Sequence, residues 1–284
     1  MCEVCGDRLR ERPLRGGAVL RECAVCGHLT RDLTAAPAAH REHAYGGEPT
    51  LDRARLALTY ATLRRGLPRP PESVFEVGYG TGALLRRFHD AGANIAGADP
   101  DQLELEVDPV VRAHARLWPA PVEQVRAADV TADLVYGIHV LEHVLDPART
   151  LRVARDLLRP GGVAQFLTPA GDSTGPRWYG QAWWMLEDPT HIRFFTADSL
   201  ARLARVAGFV DVEVRRPVLD SVVTDAASVA RVAARSPRPA GVLASKPVLA
   251  LGLATAPAVL GARLAYPPMR PTLQLVARRP RGDA

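Results

Sequence analysis

Hydrophobic and polar positions along the middle of the chain fall into two alternating patterns. Short apolar runs that end at glycine, proline or aspartate predict strands, whereas longer stretches with apolar residues three or four positions apart predict helices. The predicted strands are 73–77, 94–98, 122–126, 132–138, 163–168, 210–215 and 272–279. The predicted helices are 51–66, 83–91, 109–117, 147–158 and 197–207. Strands that alternate with helices are typical of a parallel sheet with helices on both faces, so we predict an α/β fold.

The segment between the last two predicted strands is long and rich in alanine, valine and proline. A connection of this length needs structure of its own. We expect a helical insertion over 218–270, with breaks near Pro237 to Pro247 and near Pro257. We interpret it as a cap over the substrate or a homodimer surface. An interfacial patch for a lipid-linked acceptor is the other interpretation, against which the prolines argue.

Composition limits the class of protein. The chain of 284 residues is 47% hydrophobic and 24% charged, which is ordinary for a soluble globular protein. Its formal net charge is +5, but Lys246 is the single lysine among 36 basic residues, a bias that GC-rich codons produce by themselves. We therefore expect a small-molecule substrate and no nucleic-acid partner.

Targeting signals are not visible in the sequence. Met1 leads directly into a cysteine pair, without the charged and apolar regions of a signal peptide. The longest uncharged run, Pro247 to Ala262, is shorter than the roughly 18 apolar residues of a membrane span and contains Pro257. We expect a cytoplasmic protein with no transmembrane span.

Four cysteines near the N-terminus form two C-x2-C pairs, each followed directly by glycine. Four thiolates close the tetrahedral shell of a structural zinc ion and leave no position for a substrate. Two disulfides are the alternative, which is disfavoured in a chain without an export signal. We predict a zinc ribbon that staples a segment too small for its own core, with His28 at its surface. The predicted Zn²⁺ ligands are Cys2, Cys5, Cys23 and Cys26.

A glycine-rich turn, EVGYGTGALL, follows the first strand of the α/β region. Gly78 permits a sharp turn, Gly80 permits close approach of a ligand to the backbone, and Gly82 opens the next helix. Asp99 ends the following strand, where its carboxylate can accept both ribose hydroxyls. This much suits a dinucleotide as well as S-adenosylmethionine, because Ala83 completes the relaxed dinucleotide pattern.

Glu76 distinguishes the two cofactors. Its carboxylate lies two positions before Gly78, where it would repel a pyrophosphate and attract the cationic amine and sulfonium of S-adenosylmethionine. Further along, the strand DLVYGIHV runs directly into LEHVLDP, and LLRPGG precedes another strand. These features favour the methyl donor over NAD(P)H.

Together these segments resemble the class I S-adenosylmethionine-dependent methyltransferases. The matching segments are EVGYGTG (76–82), Asp99, DLVYGIHVLEHVLDP (133–147) and LLRPGG (157–162). The resemblance covers 70–215 and the last strand. It implies a Rossmann-like sheet of seven strands, whose last strand is antiparallel and inserted between the fifth and the sixth.

The resemblance also implies roles for individual residues. Glu76 and the three glycines line the methionine part of the cofactor, Asp99 binds the ribose hydroxyls, and His139 lies beside the methionine part. The acidic residue that often meets the adenine has no clear counterpart in VEQVRAADVTAD, where Ala128 and Asp129 are the candidates.

Two further segments resemble the sugar C-methyltransferases of antibiotic pathways. One is the cysteine ribbon, and the other is DPTHIRFFTADSLARLARVAGF (188–209). Thr190 stands where those enzymes usually carry glutamate, and their additional C-terminal domain is not expected here. This resemblance implies a natural-product or sugar intermediate as the acceptor.

Methyl transfer requires the acceptor atom to be aligned about 3 Å from the methyl carbon, and a hydroxyl or carbon acid also needs a base. His191 is the candidate base because a histidine titrates near neutral pH; a structural role in pinning its loop is the alternative. A nearby cluster of aromatic and acidic residues predicts the wall of an acceptor pocket, with packing of the loop as the alternative. Its members are Trp178, Tyr179, Trp183, Trp184 and Glu187.

The predicted domains follow from these assignments. They are a zinc-binding ribbon (1–34), a connector with a helix (35–69), a methyltransferase core (70–217), the helical insertion (218–270) and the final strand with a tail (271–284). The predicted function is methyl transfer from S-adenosylmethionine to a small molecule. Two alternatives remain: a dinucleotide-dependent sugar oxidoreductase, and a zinc-ribbon adaptor or RNA-associated protein with a non-catalytic methyltransferase fold.

Overall fold

Strands and helices alternate through most of the chain. The computed structural model describes residues 1–34, 49–100, 105–233 and 245–282. The strands are β1 (Leu9–Pro13), β2 (Val19–Cys23), β3 (Leu29–Thr30), β4 (Ser73–Val77), β5 (Asn94–Ala98), β6 (Arg116–Trp118), β7 (Ala132–Ile138), β8 (Leu158–Pro169), β9 (Arg193–Phe194), β10 (Val210–Arg215) and β11 (Thr272–Arg278). The α-helices are α1 (Pro49–Arg65), α2 (Ala83–Asp90), α3 (Pro109–His114), α4 (Pro147–Leu157), α5 (Gly175–Tyr179), α6 (Ala197–Val206), α7 (Thr224–Ala233) and α8 (Lys246–Ala265).

The chain divides into two compact units, each assembled from separate stretches of sequence. Unit 1 consists of Met1–Arg55, Pro169–Ser199 and Arg216–Leu273. Unit 2 consists of Leu56–Thr168, Leu200–Arg215 and Gln274–Ala284. Part of the predicted connector, residues 35–48, lies outside the described residues.

The large sheet has seven strands in the order β10-β11-β8-β7-β4-β5-β6. Strand β4 pairs in parallel with β5 on one side and with β7 on the other. Strand β11 lies between β8 and β10 and runs antiparallel to β10. The predicted Rossmann-like α/β fold is therefore confirmed, including the inserted last strand.

The order of the strands places a switch point between β4 and β7. From β4 the chain continues outward through β5 and β6, and it then returns to build β7 and β8 on the other side. Ligands of open α/β sheets bind at such a point, outside the carboxyl ends of the strands. The fold thus directs attention to the residues that follow β4, β5 and β7.

The core of unit 2 lies between this sheet and its helices. Helix α2 buries Leu84, Leu85 and Phe88, which is the spacing of one helical face, and they pack with residues of β4, β5 and β7. A buried polar bridge accompanies this core. The amide of Gln165 donates to the carbonyl of Leu63 at 2.8 Å, and its oxygen accepts from Gln274 at 2.8 Å. Both amide functions are thereby satisfied without water.

Unit 1 contains a second, four-stranded sheet in the order β1-β2-β3-β9. Its last strand comes from a distant part of the sequence, because Leu29 pairs with Phe194 and Thr30 with Arg193. Side chains from both stretches share one hydrophobic cluster: Leu14, Leu20, Leu29, Trp183, Met185, Leu186 and Phe194. The cysteine ribbon therefore acquires a core by packing on residues 183–194.

The helical insertion consists of α7 and α8 in the described residues. Helix α8 packs on α7 at Gly252, where an added Cβ would lie 3.4 Å from Cβ of Ala226. The break expected at Pro257 is wrong, since α8 runs through this residue. A proline removes a single N–H donor from a helix and need not end it. Most of the other expected break lies in residues 234–244, which are outside the described residues.

Helix α8 is also long and apolar enough to cross a membrane by length and composition alone. It has 20 residues, and its 18-residue apolar stretch has a mean hydropathy of 1.7 with 11% of that stretch buried inside the protein. The prediction rested on the uncharged run from Pro247 to Ala262, which is shorter than the helix that contains it. By the criteria of helix length and composition, the prediction that the chain contains no candidate membrane span is therefore wrong.

Two local predictions in unit 2 are wrong. Residues 122–126 form a single 3-10 turn with no strand, because Val122 and Val125 have the three-residue spacing that lets a turn bury both. The helix predicted over 109–117 ends at His114. The next residues form β6, whose Arg116 pairs with Ala96 at the edge of the sheet.

Candidate functional site

The glycine turn after β4 adopts backbone angles that require glycine. Gly78, Gly80 and Gly82 have φ values of 75°, 50° and 76°. A Cβ at Gly78 would lie 2.8 Å from the side chain of Val140, and one at Gly82 would lie 2.9 Å from Val111. A side chain at either position would be strained and would meet a packed neighbour. The turn is thus a backbone cradle without side chains at these three positions, at the carboxyl end of β4.

Asp99 follows β5 and is tied to this turn. Its Oδ2 accepts a hydrogen bond from the backbone N–H of Gly80 at 2.9 Å. Its own backbone N–H donates to the carbonyl of Trp118 in β6 at 3.0 Å. The carboxylate is therefore held beside the turn at the carboxyl end of β5, and its role in binding a ribose stays a prediction.

Glu76 is buried at the end of β4, with 5% of its surface exposed. The hydroxyl of Tyr136 donates to its Oε2 at 3.1 Å. Burial, together with the negative charge of Asp99, holds the pKa of Glu76 well above its ordinary value. A cation beside this carboxyl group would lower the pKa again. The site therefore has the chemistry that favours a positively charged ligand.

His139 lies directly after β7 in a left-handed conformation, with φ of 55°. Its backbone N–H donates to the carbonyl of Leu167 at 2.8 Å, and its Nδ1 lies 3.1 Å from Oε1 of Glu142. The other oxygen of Glu142 accepts from the hydroxyl of Thr168 at 3.0 Å. Such backbone strain costs of order 1–3 kcal/mol and is common at functional sites.

Thr168 was not among the predicted site residues. It reaches Glu142 because β7 and β8 are paired in parallel, so that their carboxyl ends meet. The contact between His139 and Glu142 could have been predicted from the sequence, because the two residues are three positions apart. Its threonine partner depends on the register between two strands and has no local signal.

The four cysteine sulfurs converge in unit 1. They lie within 4.8 Å of one another, and all four cysteines are free thiols. The Sγ atoms of Cys5 and Cys23 are 3.4 Å apart, and those of Cys2 and Cys26 are 3.7 Å apart. A tetrahedral zinc ion with Zn–S bonds of about 2.3 Å places its sulfurs about 3.8 Å apart. The spacing fits a metal and is too long for a disulfide.

The two cysteine pairs form the same turn twice. Gly6 donates to the carbonyl of Cys2 and Gly27 to that of Cys23, each at 2.9 Å, with φ of 76° and 66° at the glycines. Burial works to raise the pKa of the Cys23 thiol, but backbone N–H groups of Cys26 and Val25 and the neighbouring sulfurs lower it to about 7. The turns therefore favour thiolate at Cys23.

His28 is buried, which corrects its predicted place at the surface. Its Nε2 lies 2.9 Å from Oε1 of Glu3, and the same oxygen accepts from Arg193 at 2.6 Å. His28 therefore belongs to a polar bridge between the ribbon and β9, and it is not one of the four clustered metal-binding residues.

His191 lies buried in unit 1, with 5% of its surface exposed. Its Nδ1 is 2.7 Å from the carbonyl oxygen of Met185, and its Nε2 is 3.8 Å from Oδ2 of Asp188. Because a carbonyl only accepts, Nδ1 carries the hydrogen and Nε2 of the neutral ring has a lone pair. The loop is also held by Arg31, which donates to the carbonyl of His191 at 2.9 Å, so the predicted alternative of a structural role has direct contacts. The role of His191 as a base stays a prediction.

The predicted pocket residues lie in unit 1 in different environments. Trp183 is buried in the core cluster, with its ring 5.0 Å from that of Phe194. Glu187 forms a buried ion pair with Arg231 at 3.2 Å. Trp183 and Glu187 therefore have structural partners within unit 1, which fits the predicted alternative of loop packing.

The remaining three predicted pocket residues are Trp178, Tyr179 and Trp184. The hydroxyl of Tyr179 donates to Asp225 at 3.3 Å, and burial raises its pKa. The backbone N–H of Trp184 donates to Ser228 at 3.0 Å, whereas Trp178 is 38% exposed. The role of all five residues in acceptor binding stays a prediction.

The fold and the glycine turn define the protein as one of the S-adenosylmethionine-dependent methyltransferase class. A seven-stranded sheet in this order, with two carboxylates at the carboxyl ends of β4 and β5, is the architecture of that class. The family model described as "Methyltransferase domain" matches residues 50–214. The chain belongs to this methyltransferase family, and we conclude that it is a methyltransferase.

Comparison with curated proteins identifies relatives among O-methyltransferases. The chain is 32% identical over 169 residues to a ubiquinone biosynthesis O-methyltransferase of Cereibacter sphaeroides, covering 55% of this chain and 67% of the relative. It is 30% identical over 134 residues to a malonyl-acyl-carrier-protein O-methyltransferase of Pseudescherichia vulneris, covering 47% of this chain and 53% of the relative.

Solved structures share the fold. Phosphoethanolamine N-methyltransferase 2 of Haemonchus contortus in complex with S-adenosyl-L-methionine aligns with a TM-score of 0.51 and 15% identity, covering 80% of this chain and 52% of that chain. The cyclase SpnF aligns with a TM-score of 0.53 and 20% identity, covering 88% of this chain and 90% of that chain. At these identities the likeness concerns the fold alone.

Proposed function

We propose that the protein transfers the methyl group of S-adenosylmethionine to an oxygen atom of a small molecule, of the natural-product or sugar-intermediate class. The pair of carboxylates, Glu76 and Asp99, carries this proposal. The names of the relatives support oxygen as the acceptor atom. The acceptor class is supported by the resemblance of the cysteine ribbon and of segment 188–209 to the sugar C-methyltransferases of antibiotic pathways.

The residues of unit 2 fit the cofactor. The glycine cradle has no room for a Cβ at Gly78 and Gly82, and Glu76 is a buried carboxyl group whose ionisation a cation would favour. In this proposal Glu76 and the turn hold the methionine part, Asp99 holds the ribose hydroxyls, and His139 lies beside the methionine part. The bound cofactor supplies an electrophilic methyl group on a sulfonium.

We assign the role of base to His191. An acceptor hydroxyl must lose its proton as its oxygen attacks the methyl carbon. Nε2 of His191 has the lone pair for this proton, because Nδ1 is engaged by Met185. The hydrogen bond from Nδ1 to the carbonyl of Met185 holds the ring in this orientation.

Calorimetry tests the cofactor assignment. We expect S-adenosylhomocysteine to bind and NADPH to give no heat. Asp99→Asn should weaken binding roughly tenfold or more, since hydrogen bonds to a charged group contribute about 1.5–3 kcal/mol. Asp90→Asn, a change of an exposed aspartate on α2, is the matched control and should leave binding unchanged. Binding of NADPH instead of S-adenosylhomocysteine would reject the proposal.

Label transfer tests the reaction. The protein is incubated with S-adenosylmethionine labelled in its methyl group and a small-molecule extract, and labelled products are identified by mass spectrometry. His191→Asn should slow transfer roughly 10²- to 10⁴-fold without changing affinity for S-adenosylhomocysteine. His114→Asn, at an exposed histidine, should behave as the unaltered protein. Cofactor binding without any transfer, together with salt-dependent retention of RNA, would favour the non-catalytic adaptor instead.

We also propose that the four cysteines hold one structural zinc ion. Their sulfur spacing and the paired turns support this assignment. Elemental analysis of the purified protein should give one zinc per chain. Cys23→Ser should reduce the zinc content, and a zinc content that is unaffected by this change would contradict the assignment.

A further inference from the structure

Helix α8 exposes a broad apolar face. Its outward residues from Ala250 to Ala265 are alanine, leucine, proline and glycine, apart from Thr255. The hydroxyl of Thr255 donates to the carbonyl of Leu251 at 2.8 Å, so its polar group is satisfied within the helix. Large apolar side chains are strongly exposed in the insertion: Leu251, Leu253 and Leu264 in α8, Tyr266 directly after it, and Val229 and Val232 in α7.

The charges of α8 lie at its two ends. No ionisable residue occurs between Lys246, which lies at the start, and Arg263 near the end. The guanidinium of Arg263 is fully buried, and it donates to the carbonyl of Asp220 at 2.8 Å and pairs with Asp225 at 2.9 Å. Tyr266 follows the helix and is 45% exposed. Lysine and tyrosine at the ends of an apolar helix favour the boundary between lipid and water.

The insertion is held in unit 1 by contacts that argue against a membrane span. Gly252 packs against α7, and Arg263 anchors the end of α8 to 218–221. Helix α7 has 10 residues, which is about 15 Å and half of the roughly 30 Å hydrocarbon core. A membrane span by α8 would therefore have to break the packing at Gly252 and the contacts of Arg263.

We propose that the exposed face of α8 embeds in the surface of a lipid bilayer from one side, as a monotopic membrane-binding element. A lipid phase requires no hydrogen bonds from the surface that it covers, and Thr255 is the one polar side chain among the exposed residues of α8 from Ala250 to Ala265. A second protein chain would ordinarily meet a polar rim with about one hydrogen bond per 100–200 Å². This inference goes beyond the proposed function, since membrane binding needs no methyl transfer.

Vesicle flotation tests the proposal with the full chain. The protein is mixed with unilamellar vesicles of phosphatidylcholine, with and without phosphatidylglycerol, and is separated on a density gradient. We expect the protein to float with both kinds of vesicle and to remain bound at high salt, because the contact is apolar. Binding that requires phosphatidylglycerol and disappears with salt would overturn the proposal in favour of surface arginines.

Paired variants locate the contact. Leu253→Glu combined with Leu264→Glu should lower the floating fraction more than tenfold. The matched control is Val206→Glu combined with Val210→Glu, at two exposed valines of unit 2, and it should float like the unaltered protein. Leu253→Gln with Leu264→Gln adds no charge and repeats the test if the glutamate pair fails to fold. An equal loss of the floating fraction in the leucine variants and in the valine control would overturn the proposal.

Two further results would also overturn it. One is a wild-type protein that does not float. The other is a lipid-free dimer that Leu253→Glu with Leu264→Glu converts to a monomer, since a second copy would then cover the face. Binding of S-adenosylhomocysteine is measured for every variant, so that failure of the proposed function is seen separately from failure of membrane binding.

Discussion

At the scale of single residues, Glu76 places a carboxyl group where the folded protein disfavours its charge. Burial and Asp99 raise its pKa above the value in the unfolded chain. Between these two pKa values the folded protein keeps a proton that the unfolded chain has lost. The free energy of unfolding contributed by this group therefore falls as the pH rises through that window.

Glu76→Gln should make the cofactor-free protein more stable at pH 8 than the unaltered protein, with Tm higher by at least about 2 °C. The difference should disappear near pH 4, where both side chains are neutral. The amide oxygen of the introduced glutamine can still accept the hydrogen bond from Tyr136, so the packing is preserved. Glu72→Gln, at an exposed residue, should leave Tm unchanged at both values of pH.

The same substitution should weaken the binding of S-adenosylmethionine roughly ten- to hundredfold, because a charge-assisted contact of about 1.5–3 kcal/mol is lost. Calorimetry gives the affinity. In the unaltered protein the affinity for the cation should rise with pH, as Glu76 becomes ionised. An affinity that is independent of pH and of this substitution would remove Glu76 from the cofactor site.

Gly78 offers a second test at this scale. An alanine there has φ of 75° and a Cβ 2.8 Å from Val140. Gly92 has φ of 90° with nothing within 4 Å of an added Cβ, so Gly92→Ala isolates the backbone strain of about 1–2 kcal/mol. Gly78→Ala should cost more than this in urea unfolding and should also weaken binding of S-adenosylhomocysteine. Equal effects of the two variants would show that the turn tolerates a side chain.

At the scale of elements, the sequence predicts what local patterns determine. The bounds of β4, β5, β7 and β10 agree with the predicted ones, because apolar runs bounded by turn residues specify these strands. The glycine turn and the carboxylates at the ends of β4 and β5 are equally local. These features carry most of the predicted cofactor site.

Other elements depend on partners that are distant in sequence. Strand β9 has two residues and exists because Phe194 and Arg193 pair with β3. The burial of His28 accompanies the same pairing. His28 contacts Glu3, and Arg193 of β9 donates to the same oxygen of Glu3. No local pattern contains this information, so the sequence predicted a ribbon with a surface histidine.

Phe194→Ala tests the support that β9 gives to the ribbon. Phe194 is fully buried in the cluster with Trp183 and Leu29, and removal of a buried phenylalanine ring costs about 3–5 kcal/mol. We expect zinc to pass to a colorimetric chelator at least tenfold faster than from the unaltered protein. Val25→Ala, at an exposed residue of the ribbon, should release zinc at the original rate.

At the scale of the whole molecule, the predicted metal and cofactor residues belong to different units. The four cysteines lie in unit 1, whereas Glu76, the glycine turn, Asp99 and His139 lie in unit 2. Each unit has its own hydrophobic cluster. The two ligands are therefore expected to stabilise separate parts of the fold.

Removal of zinc should alter the near-ultraviolet circular dichroism, because Trp178, Trp183 and Trp184 lie in unit 1. Affinity for S-adenosylhomocysteine, measured by calorimetry, should change less than threefold. A protein with Cys23→Ser and Cys26→Ser should reproduce both results without a chelator. Parallel loss of cofactor binding would contradict this division of roles.

The place of β11 in the large sheet has a consequence for synthesis on the ribosome. Strand β10 has no neighbour on its inner side until β11 arrives between it and β8. The nascent chain must therefore wait until both insertion helices have emerged before the sheet closes. Until β11 pairs, the edge of β8 has no partner strand while the apolar surface of α8 is already outside the ribosome.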